Sequence, residues 1–160
     1  MINLKGKSPK LLVIGDLMID HYLLGNTDRI SPESPVPIVN IDKEYSLLGG
    51  AGNVISNLKS LGAEVDIISV IGDCKISSEL VSLINDMGIN SKYLIIEKNR
   101  IGSKKHRIIS SKQQVARFDI ESTEEINTKS QNEILKIFRK IINNYDCLLI
   151  SDYGKGVLTN

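Results

Sequence analysis

Short apolar runs alternate with amphipathic segments along this 160-residue chain, and this order limits the folds that the chain can adopt. The runs have the length of buried strands rather than of helices, and they lie at residues 11–14, 65–71, 93–96 and 147–150. Buried strands that alternate with helices are typical of a mainly parallel sheet with both faces covered. The sequence therefore predicts an α/β fold.

Three segments between these runs have apolar residues at helical spacing. Helices are predicted from Gly50 to Gly62, from a cap at Ser77 or Ser78 to Gly88, and from Thr128 onward, where Thr128 and Gln131 form a capping box. The first is favoured most, since Ala51, Val54, Ile55, Leu58 and Leu61 share a face and Gly62 stands where a C-terminal glycine belongs.

A smaller group of strands is expected outside the parallel sheet. Three of the four prolines lie between residues 29 and 41, which excludes a central strand there and allows an edge strand at residues 36–41. Residues 105–110 and 114–120 alternate polar and apolar side chains on either side of a polar tip. They predict a hairpin of half-exposed strands.

The composition excludes several classes of function. Twenty Lys and Arg residues stand against nineteen Asp and Glu, and only 4% of residues are aromatic, so neither a general positive field nor a stacking platform for nucleic acid is present. No apolar run approaches the roughly 18 residues of a membrane-spanning helix. We therefore expect a cytoplasmic protein with no nucleic-acid or membrane partner. Cys74 and Cys147 lie beside apolar residues and are expected to be core thiols.

Polar side chains that follow the strand runs are the first candidates for a ligand site, because open parallel sheets bind ligands beyond the carboxyl ends of their strands. Asp16 and Asp20 follow the first run. A carboxylate there can accept hydrogen bonds from sugar hydroxyls, or it can cap a turn. The turn is favoured for Asp16, whereas both roles stay open for Asp20. Asp152 and Lys155 follow the last run in a glycine-flanked turn, which suits a ligand-facing loop.

Gly49, Gly50 and Asn53 lie where the first predicted helix begins. Glycines at such a place let backbone N–H groups approach a ligand, and the helix N-terminus favours oxygen-rich or anionic groups. A tight turn with close helix packing explains the same residues and is favoured when the segment is taken alone. The dinucleotide-binding pattern is not matched, because residue 55 is Ile rather than Gly.

Lys105, Arg107 and Arg117 concentrate positive charge on the predicted hairpin, and strand alternation puts Lys105 and Arg107 on the same face. Such a cluster suits a phosphate group, although a solvated strand face is the commoner reason for one. His106 is expected on the opposite face. Neither His21 nor His106 has partners at the spacing of a zinc site, so no metal ligand is predicted.

Five segments, found in this order, resemble those of the ribokinase-like (pfkB) carbohydrate kinases. They are residues 14–20, 29–37, 49–53, 113–119 and 151–156. The segment Arg-Ile-Ser-Pro-Glu at 29–33 and the turn Ser-Asp-Tyr-Gly-Lys-Gly at 151–156 make the chain most similar to the heptose 7-phosphate kinases of this family. The resemblance runs from about residue 11 to residue 160.

The resemblance implies a three-layer α/β/α sandwich with a small β lid, of which residues 1–160 form the N-terminal portion. The lid would comprise segments of about 17–45 and 92–120, and in this family it often forms a homodimer contact. The pattern alone also favours a truncated domain, because the last predicted strand is followed by a helix entrance without a helix.

A substrate site is implied as well. By resemblance, the residues that bind the phosphorylated sugar are Asp20, Gly49, Gly50, Asn53, Lys105, Arg107 and Arg117. Asp152 and Lys155 match a turn that approaches the phosphoryl-transfer centre in this family.

The implied reaction moves the γ-phosphoryl group of Mg-ATP to O1 of D-glycero-beta-D-manno-heptose 7-phosphate, on the route to ADP-heptose and lipopolysaccharide. The family's Gly-Ala-Gly-Asp signature supplies the catalytic base and lies in the C-terminal half, so we expect no catalytic residue within this chain and no turnover by it alone. Full-length relatives often carry a fused adenylyltransferase domain. The alternatives are a non-catalytic sugar-phosphate-binding or dimerisation module, and a ribokinase-like kinase of another sugar or of a nucleoside.

Overall fold

The computed structural model describes residues 8–159, and within this part of the chain eight strands form two sheets of four. The strands are β1 (Lys10–Gly15), β2 (Leu17–Ile30), β3 (Pro37–Gly50), β4 (Glu64–Gly72), β5 (Leu94–Glu97), β6 (Ser103–Ser110), β7 (Gln113–Ile120) and β8 (Cys147–Ser151). The helices are α1 (Ala51–Ser60), α2 (Lys75–Asp86) and α3 (Thr128–Ile141), and a short 3₁₀ turn follows at Ile142–Asn144.

The main sheet has the order β5-β4-β1-β8 and is parallel throughout. Successive residues of β1 point to opposite faces, so Val13 packs in a core with Ile55 of α1, whereas Leu12 packs in a second core with Ile134 of α3. Helices α1 and α2 cover the first face, and α3 covers the other. This confirms the predicted α/β/α layers and the mainly parallel sheet.

The second sheet has the order β3-β2-β6-β7. Strand β2 pairs antiparallel with β3 and parallel with β6, and β6 and β7 form the predicted hairpin. One face of this sheet contacts α2 through Glu79, which accepts hydrogen bonds from Ser46 at 2.5 Å and Lys104 at 2.6 Å. Because β2 begins two residues after β1 ends, the second sheet starts from the carboxyl end of the main sheet.

Strand β2 has no counterpart in the sequence prediction. Its first three residues are buried and the next six are half-buried, so its side chains do not show the alternation that reveals a strand with one wet face. The predicted edge strand at 36–41 overlaps the start of β3, which is indeed at the edge of the second sheet but begins at Pro37 and continues to Gly50. The second lid segment was expected at about 92–120. Strand β5 pairs with β4 in the main sheet, however, and the next strand of the second sheet, β6, begins at Ser103.

Two predicted helix caps are wrong by one to four residues. Helix α2 begins at Lys75 with Cys74 as its N-cap, and Ser77 is buried inside its first turn. Helix α3 is capped by Asn127, whose side chain accepts a hydrogen bond from the backbone N–H of Ser130 at 2.9 Å. Asn127 takes this role instead of Thr128 because its extended backbone aims the side-chain oxygen back at the first turn.

The cysteine prediction is also wrong. Cys147 is exposed and Cys74 is only partly buried. Cys147 opens the edge strand of the main sheet, where one side of the strand lacks a neighbour among the described residues. No helix within residues 8–159 is long and apolar enough to cross a bilayer.

Candidate functional site

The predicted site residues lie around the junction between the two sheets. Asp16 is the single residue between β1 and β2, Asp20 lies early in β2, and Gly49 and Gly50 end β3. The turn at residues 152–157 follows β8, whose carboxyl end lies beside that of β1. The junction is therefore at the carboxyl edge of the parallel sheet, where the fold class places ligand sites.

Asp16 is 1% exposed, and its carboxylate holds the turn after β8. Oδ2 accepts hydrogen bonds from the backbone N–H groups of Tyr153 at 2.8 Å and Lys155 at 3.2 Å, and Oδ1 accepts one from Val157 at 3.1 Å. Three alternate residues of the turn thus point their N–H groups at one buried carboxylate. The turn-capping role favoured for Asp16 is the one that the structure shows.

The backbone of Asp16 joins two further elements to this turn. Its N–H donates to the carbonyl of Ser151 at 3.1 Å, and its carbonyl accepts from the N–H of Ala51, the first residue of α1, at 2.9 Å. Gly50 has a φ of 56°, and a Cβ there would lie 2.5 Å from the Asp16 carbonyl oxygen. A glycine is therefore required where α1 begins.

Asp20 lies against Gly49 and pairs with Arg107. A Cβ on Gly49 would lie 2.5 Å from Asp20 Oδ2, so the absence of a side chain at residue 49 leaves this oxygen its space. The other oxygen, Oδ1, accepts a hydrogen bond from Nη1 of Arg107. The guanidinium also lies over the ring of Tyr22, 5.5 Å from its centroid. These contacts bring a carboxylate of β2 and a cation of β6 together on one face of the second sheet.

Further along the same face, five charged side chains form a continuous chain of ion pairs, which we call the ion cluster. Its members are Lys105, Arg117, Asp119, Glu121 and Lys155. Asp119 bonds Arg117 at 2.5 and 3.0 Å and Lys105 at 3.1 Å. Glu121 bonds Lys105 at 3.2 Å and Lys155 at 2.8 Å. Lys105 and Arg117 are therefore each paired with a carboxylate, in addition to the pair of Arg107 with Asp20.

Both carboxylates of the ion cluster have lowered pKa values. Hydrogen bonds from Arg117 foremost, and from Lys105, hold the pKa of Asp119 well below its usual range. The hydrogen bond from Lys155 lowers the pKa of Glu121, with Lys105 adding to this effect against the opposing effect of burial. Both groups stay ionised at a lower pH than an unpaired carboxyl group does, and the stability that their pairs contribute is lost as the pH falls through these lowered pKa values.

Asn53 and Asp152 make their hydrogen bonds locally. Asn53 is exposed on the first turn of α1, and its Oδ1 accepts from Asn57 Nδ2 at 3.4 Å. Asp152 is exposed, and its Oδ1 accepts from the N–H of Gly154 at 2.8 Å within the turn. The structure thus joins Asp20 directly to Gly49 and Arg107, whereas Asn53 and Asp152 lie at the margin of the junction.

Arg100 holds the turn at residues 152–157 through its side chain, and it was not among the site residues predicted from the sequence. Its side chain is 7% exposed, and it donates to the carbonyl of Glu124 at 3.1 Å and to the carbonyl of Lys155. Glu97 lies 3.6 Å from the same guanidinium. Asp119 was missed as well, although its spacing from Arg117 in β7 could have revealed a charged face, and Glu121 was missed because it lies just beyond the end of that strand. The two carbonyl acceptors of Arg100 are 24 and 55 residues away in sequence, so no local pattern indicates them.

Within residues 8–159, no group of three or more His, Cys, Asp or Glu side chains is arranged to hold a metal ion. The carboxylates of the junction are instead bound by arginine, lysine and backbone N–H groups. These residues do not form a site for Mg²⁺.

Residues 8–158 match the model of the pfkB family carbohydrate kinases. The Bifunctional protein HldE of Aliarcobacter butzleri is 57% identical over 153 residues, which are 96% of this chain and 32% of that protein. The protein of the same name from Helicobacter hepaticus is 44% identical over 160 residues, which are 100% of this chain and 33% of that protein. The chain spans about a third of the length of these relatives.

Two solved structures illustrate the likeness in fold. A ribokinase from Arabidopsis thaliana, complexed with ribose and ATP, superposes with a TM-score of 0.59 at 15% identity, covering 90% of this chain and 45% of that one. A microbiome-derived acarbose kinase has a TM-score of 0.61 at 18% identity, covering 90% and 46%. At these identities the comparison shows a ribokinase-like fold.

We expect Asp16→Asn to destabilise the chain by about 1–3 kcal/mol, because an amide nitrogen would then face a backbone N–H that has lost its acceptor. Urea unfolding measures the loss, and amide hydrogen exchange at Tyr153, Lys155 and Val157 should quicken. Asp152→Asn is the control, because that carboxylate is exposed. Equal behaviour of the two variants would contradict the structural role of Asp16.

Proposed function

Because the chain belongs to the pfkB family of carbohydrate kinases, we propose that it forms the substrate-binding and lid portion of an ATP-dependent kinase that phosphorylates D-glycero-beta-D-manno-heptose 7-phosphate at O1. The product would be the 1,7-bisphosphate, a precursor of ADP-heptose for lipopolysaccharide. The observation that carries the proposal is the placement of Asp20 beside Arg107, with Lys105 and Arg117 on the same face. A carboxylate that can accept hydrogen bonds from hydroxyl groups, next to three cations, fits a sugar that already carries a phosphate.

The sugar end of the proposed site is built from Asp20, Gly49 and Gly50. A carboxylate accepts hydrogen bonds and donates none, so its two oxygens can take two neighbouring hydroxyls of a sugar. Because residue 49 is a glycine, no side chain from that residue crowds Oδ2 of Asp20. Asn53, one turn into α1, would extend this end of the pocket with an amide that both donates and accepts.

The phosphate end is built from Arg107, Lys105 and Arg117. A phosphate monoester is close to doubly charged at neutral pH and is bound best by several cations, among which guanidinium supplies two parallel donors. Arg107 and Arg117 are direct cross-strand partners, and Lys105 lies two residues from Arg107. Each cation is paired with a carboxylate of the same sheet, so ligand binding would exchange one anionic partner for another.

We place the second sheet over this pocket as the lid, with strands from residues 17–50 and 103–120. The turn with Asp152 and Lys155 would face the transferred phosphoryl group, where the Lys155 ammonium can neutralise developing charge. ATP is the proposed donor, in keeping with the family and with the ribokinase that is complexed with ATP. Residues 8–159 offer no cluster of three or more carboxylate, histidine or cysteine side chains that would hold Mg²⁺ beside this donor.

We propose no catalytic residue within the chain. The family's Gly-Ala-Gly-Asp signature does not occur in the sequence, and the one Gly-Ala-Gly run is followed by Asn53. An amide has no basic site to take the proton of the attacking hydroxyl. Acceptance of that proton is therefore assigned to residues outside these 160.

We also propose that the second sheet forms a homodimer contact. All eight residues of β7 are exposed, and this strand is the outer edge of its sheet. It carries Phe118 and Ile120, which are 47% and 44% exposed. An exposed edge strand that carries two large apolar side chains favours cover by another chain, and a second copy of the same sheet offers the same strand.

We expect Asp20→Ala to weaken binding of the heptose 7-phosphate by about 1–3 kcal/mol, or about 5- to 150-fold in Kd, because sugar hydroxyls lose their acceptor. Isothermal titration calorimetry measures the change. Asp28→Ala is the matched control, since Asp28 is exposed and its carboxylate bonds Asn40 at the distant end of β2. Unchanged affinity in Asp20→Ala would remove this residue from the site.

The purified 160-residue chain is expected to show no ATP-dependent phosphorylation of the heptose 7-phosphate, because it lacks a base. A coupled assay for ADP release measures this, with calorimetry as the control that the sugar phosphate is bound. Turnover that Asp152→Asn abolishes would contradict the assignment of the base to other residues.

The homodimer is tested by light scattering coupled to gel filtration. We expect the wild-type chain to elute with twice the mass of the monomer and Phe118→Lys to elute as a monomer, because a lysine in this contact would be buried without a partner. Leu61→Lys is the control, since Leu61 is 84% exposed at the end of α1. A monomeric wild type, or a dimer that survives Phe118→Lys, would count against the contact.

A further inference from the structure

Glu121 bridges two lysines that belong to different parts of the proposed site. It follows directly after β7, and its two oxygens bind different amines: Oε1 accepts from Lys155 at 2.8 Å and Oε2 accepts from Lys105 at 3.2 Å. The side chains are 22%, 16% and 13% exposed, in the order Glu121, Lys155 and Lys105. The bridge is thus largely shielded from water, unlike a surface ion pair.

Each end of the bridge is anchored independently of Glu121. Lys105 also bonds Asp119 of the neighbouring strand at 3.1 Å. The backbone of Lys155 is held on both sides, because its N–H donates to Asp16 at 3.2 Å and its carbonyl accepts from Arg100. Glu121 therefore connects a strand of the second sheet to a turn whose backbone is fixed, and only the two lysine side chains are free to change partner.

We infer that Glu121 is a positioning residue that couples occupancy of the sugar-phosphate pocket to the side chain of Lys155. The nature of the occupant rests on the proposed function, whereas the bridge itself does not. When a phosphate dianion pairs with Lys105, it competes with Glu121 for that amine. Glu121 then has Lys155 as its remaining partner and holds that ammonium at the place that faces the transferred group.

Chemical labelling tests the bridge without any ligand. The 160-residue chain is treated with limiting acetic anhydride near pH 8, and acetylation of each lysine is followed by mass spectrometry. Glu121→Gln is expected to raise the acetylation rate of Lys155 about threefold, because the amine loses the charged carboxylate that binds it and becomes open to the reagent. Lys105 should change less, since it keeps Asp119.

Glu125→Gln is the matched control, because it removes an exposed carboxylate four residues further along the chain. It should leave both lysines at their wild-type rates. Unfolding temperatures of the two variants show whether the fold is retained. A Lys155 rate that is the same in wild type and Glu121→Gln would overturn the bridge.

A second arm adds the heptose 7-phosphate, or inorganic phosphate, at saturating concentration. In the wild type we expect protection of Lys105 together with a fall of about twofold in the Lys155 rate, and in Glu121→Gln we expect Lys105 to be protected while Lys155 is unchanged. An equal fall at Lys155 in both proteins would mean that the ligand shields this lysine directly, which overturns the coupling.

The two arms separate the failure of this inference from that of the proposed function. Absence of Lys105 protection in the wild type by the sugar phosphate would contradict the proposed pocket. Protection of Lys105 with an unchanged Lys155 would leave the pocket standing and overturn the coupling. An effect of inorganic phosphate as large as that of the sugar phosphate would show that the phosphate group is sufficient.

Discussion

The buried carboxylate of Asp16 is the interaction on which the site depends. Moving an unpaired carboxylate out of water costs several kcal/mol, so this side chain is stable in its buried position only while its hydrogen bonds are complete. Its partners are N–H groups of the turn after β8, and its own backbone is bonded to Ser151 and to the start of α1. The turn with Lys155 and the glycines beside Asp20 are therefore held relative to one another by a single residue.

The second sheet brings its own counter-charges to the cations of the proposed pocket. Arg107 pairs with Asp20, and Lys105 and Arg117 pair with Asp119. Each carboxylate keeps a cation in place in the absence of ligand, and the hydrogen bonds from Arg117 and Lys105 lower the pKa of Asp119, which favours its ionised form. Under the proposed function, an incoming phosphate would have to replace these partners, which would favour a doubly charged group over a weaker anion.

Local sequence patterns predicted the strands and helices whose apolar residues recur at a regular spacing. The main-sheet strands and α1 were found from short apolar runs and from helical spacing. The β6–β7 hairpin was found from polar and apolar alternation around a polar tip, although β7 is exposed throughout. Strand β2 was missed because it passes from a buried start to a half-exposed sheet and shows neither pattern. Cys147 was misplaced because an apolar run does not reveal that its strand lies at the edge of the sheet.

By itself, the sequence determined the fold class, the family and the residue types available for a sugar phosphate, because these depend on local periodicity and on short motifs. Tertiary structure alone decided which of these residues meet. Asp16 and Asp20 both come after β1 in the chain. The carboxylate of Asp16 binds the turn after β8, whereas that of Asp20 pairs with Arg107, 87 residues away. Glu121 and Arg100 gained roles that no local pattern indicates, because an ion pair depends on distance in space, and parallel pairing brings together segments that are far apart in the chain.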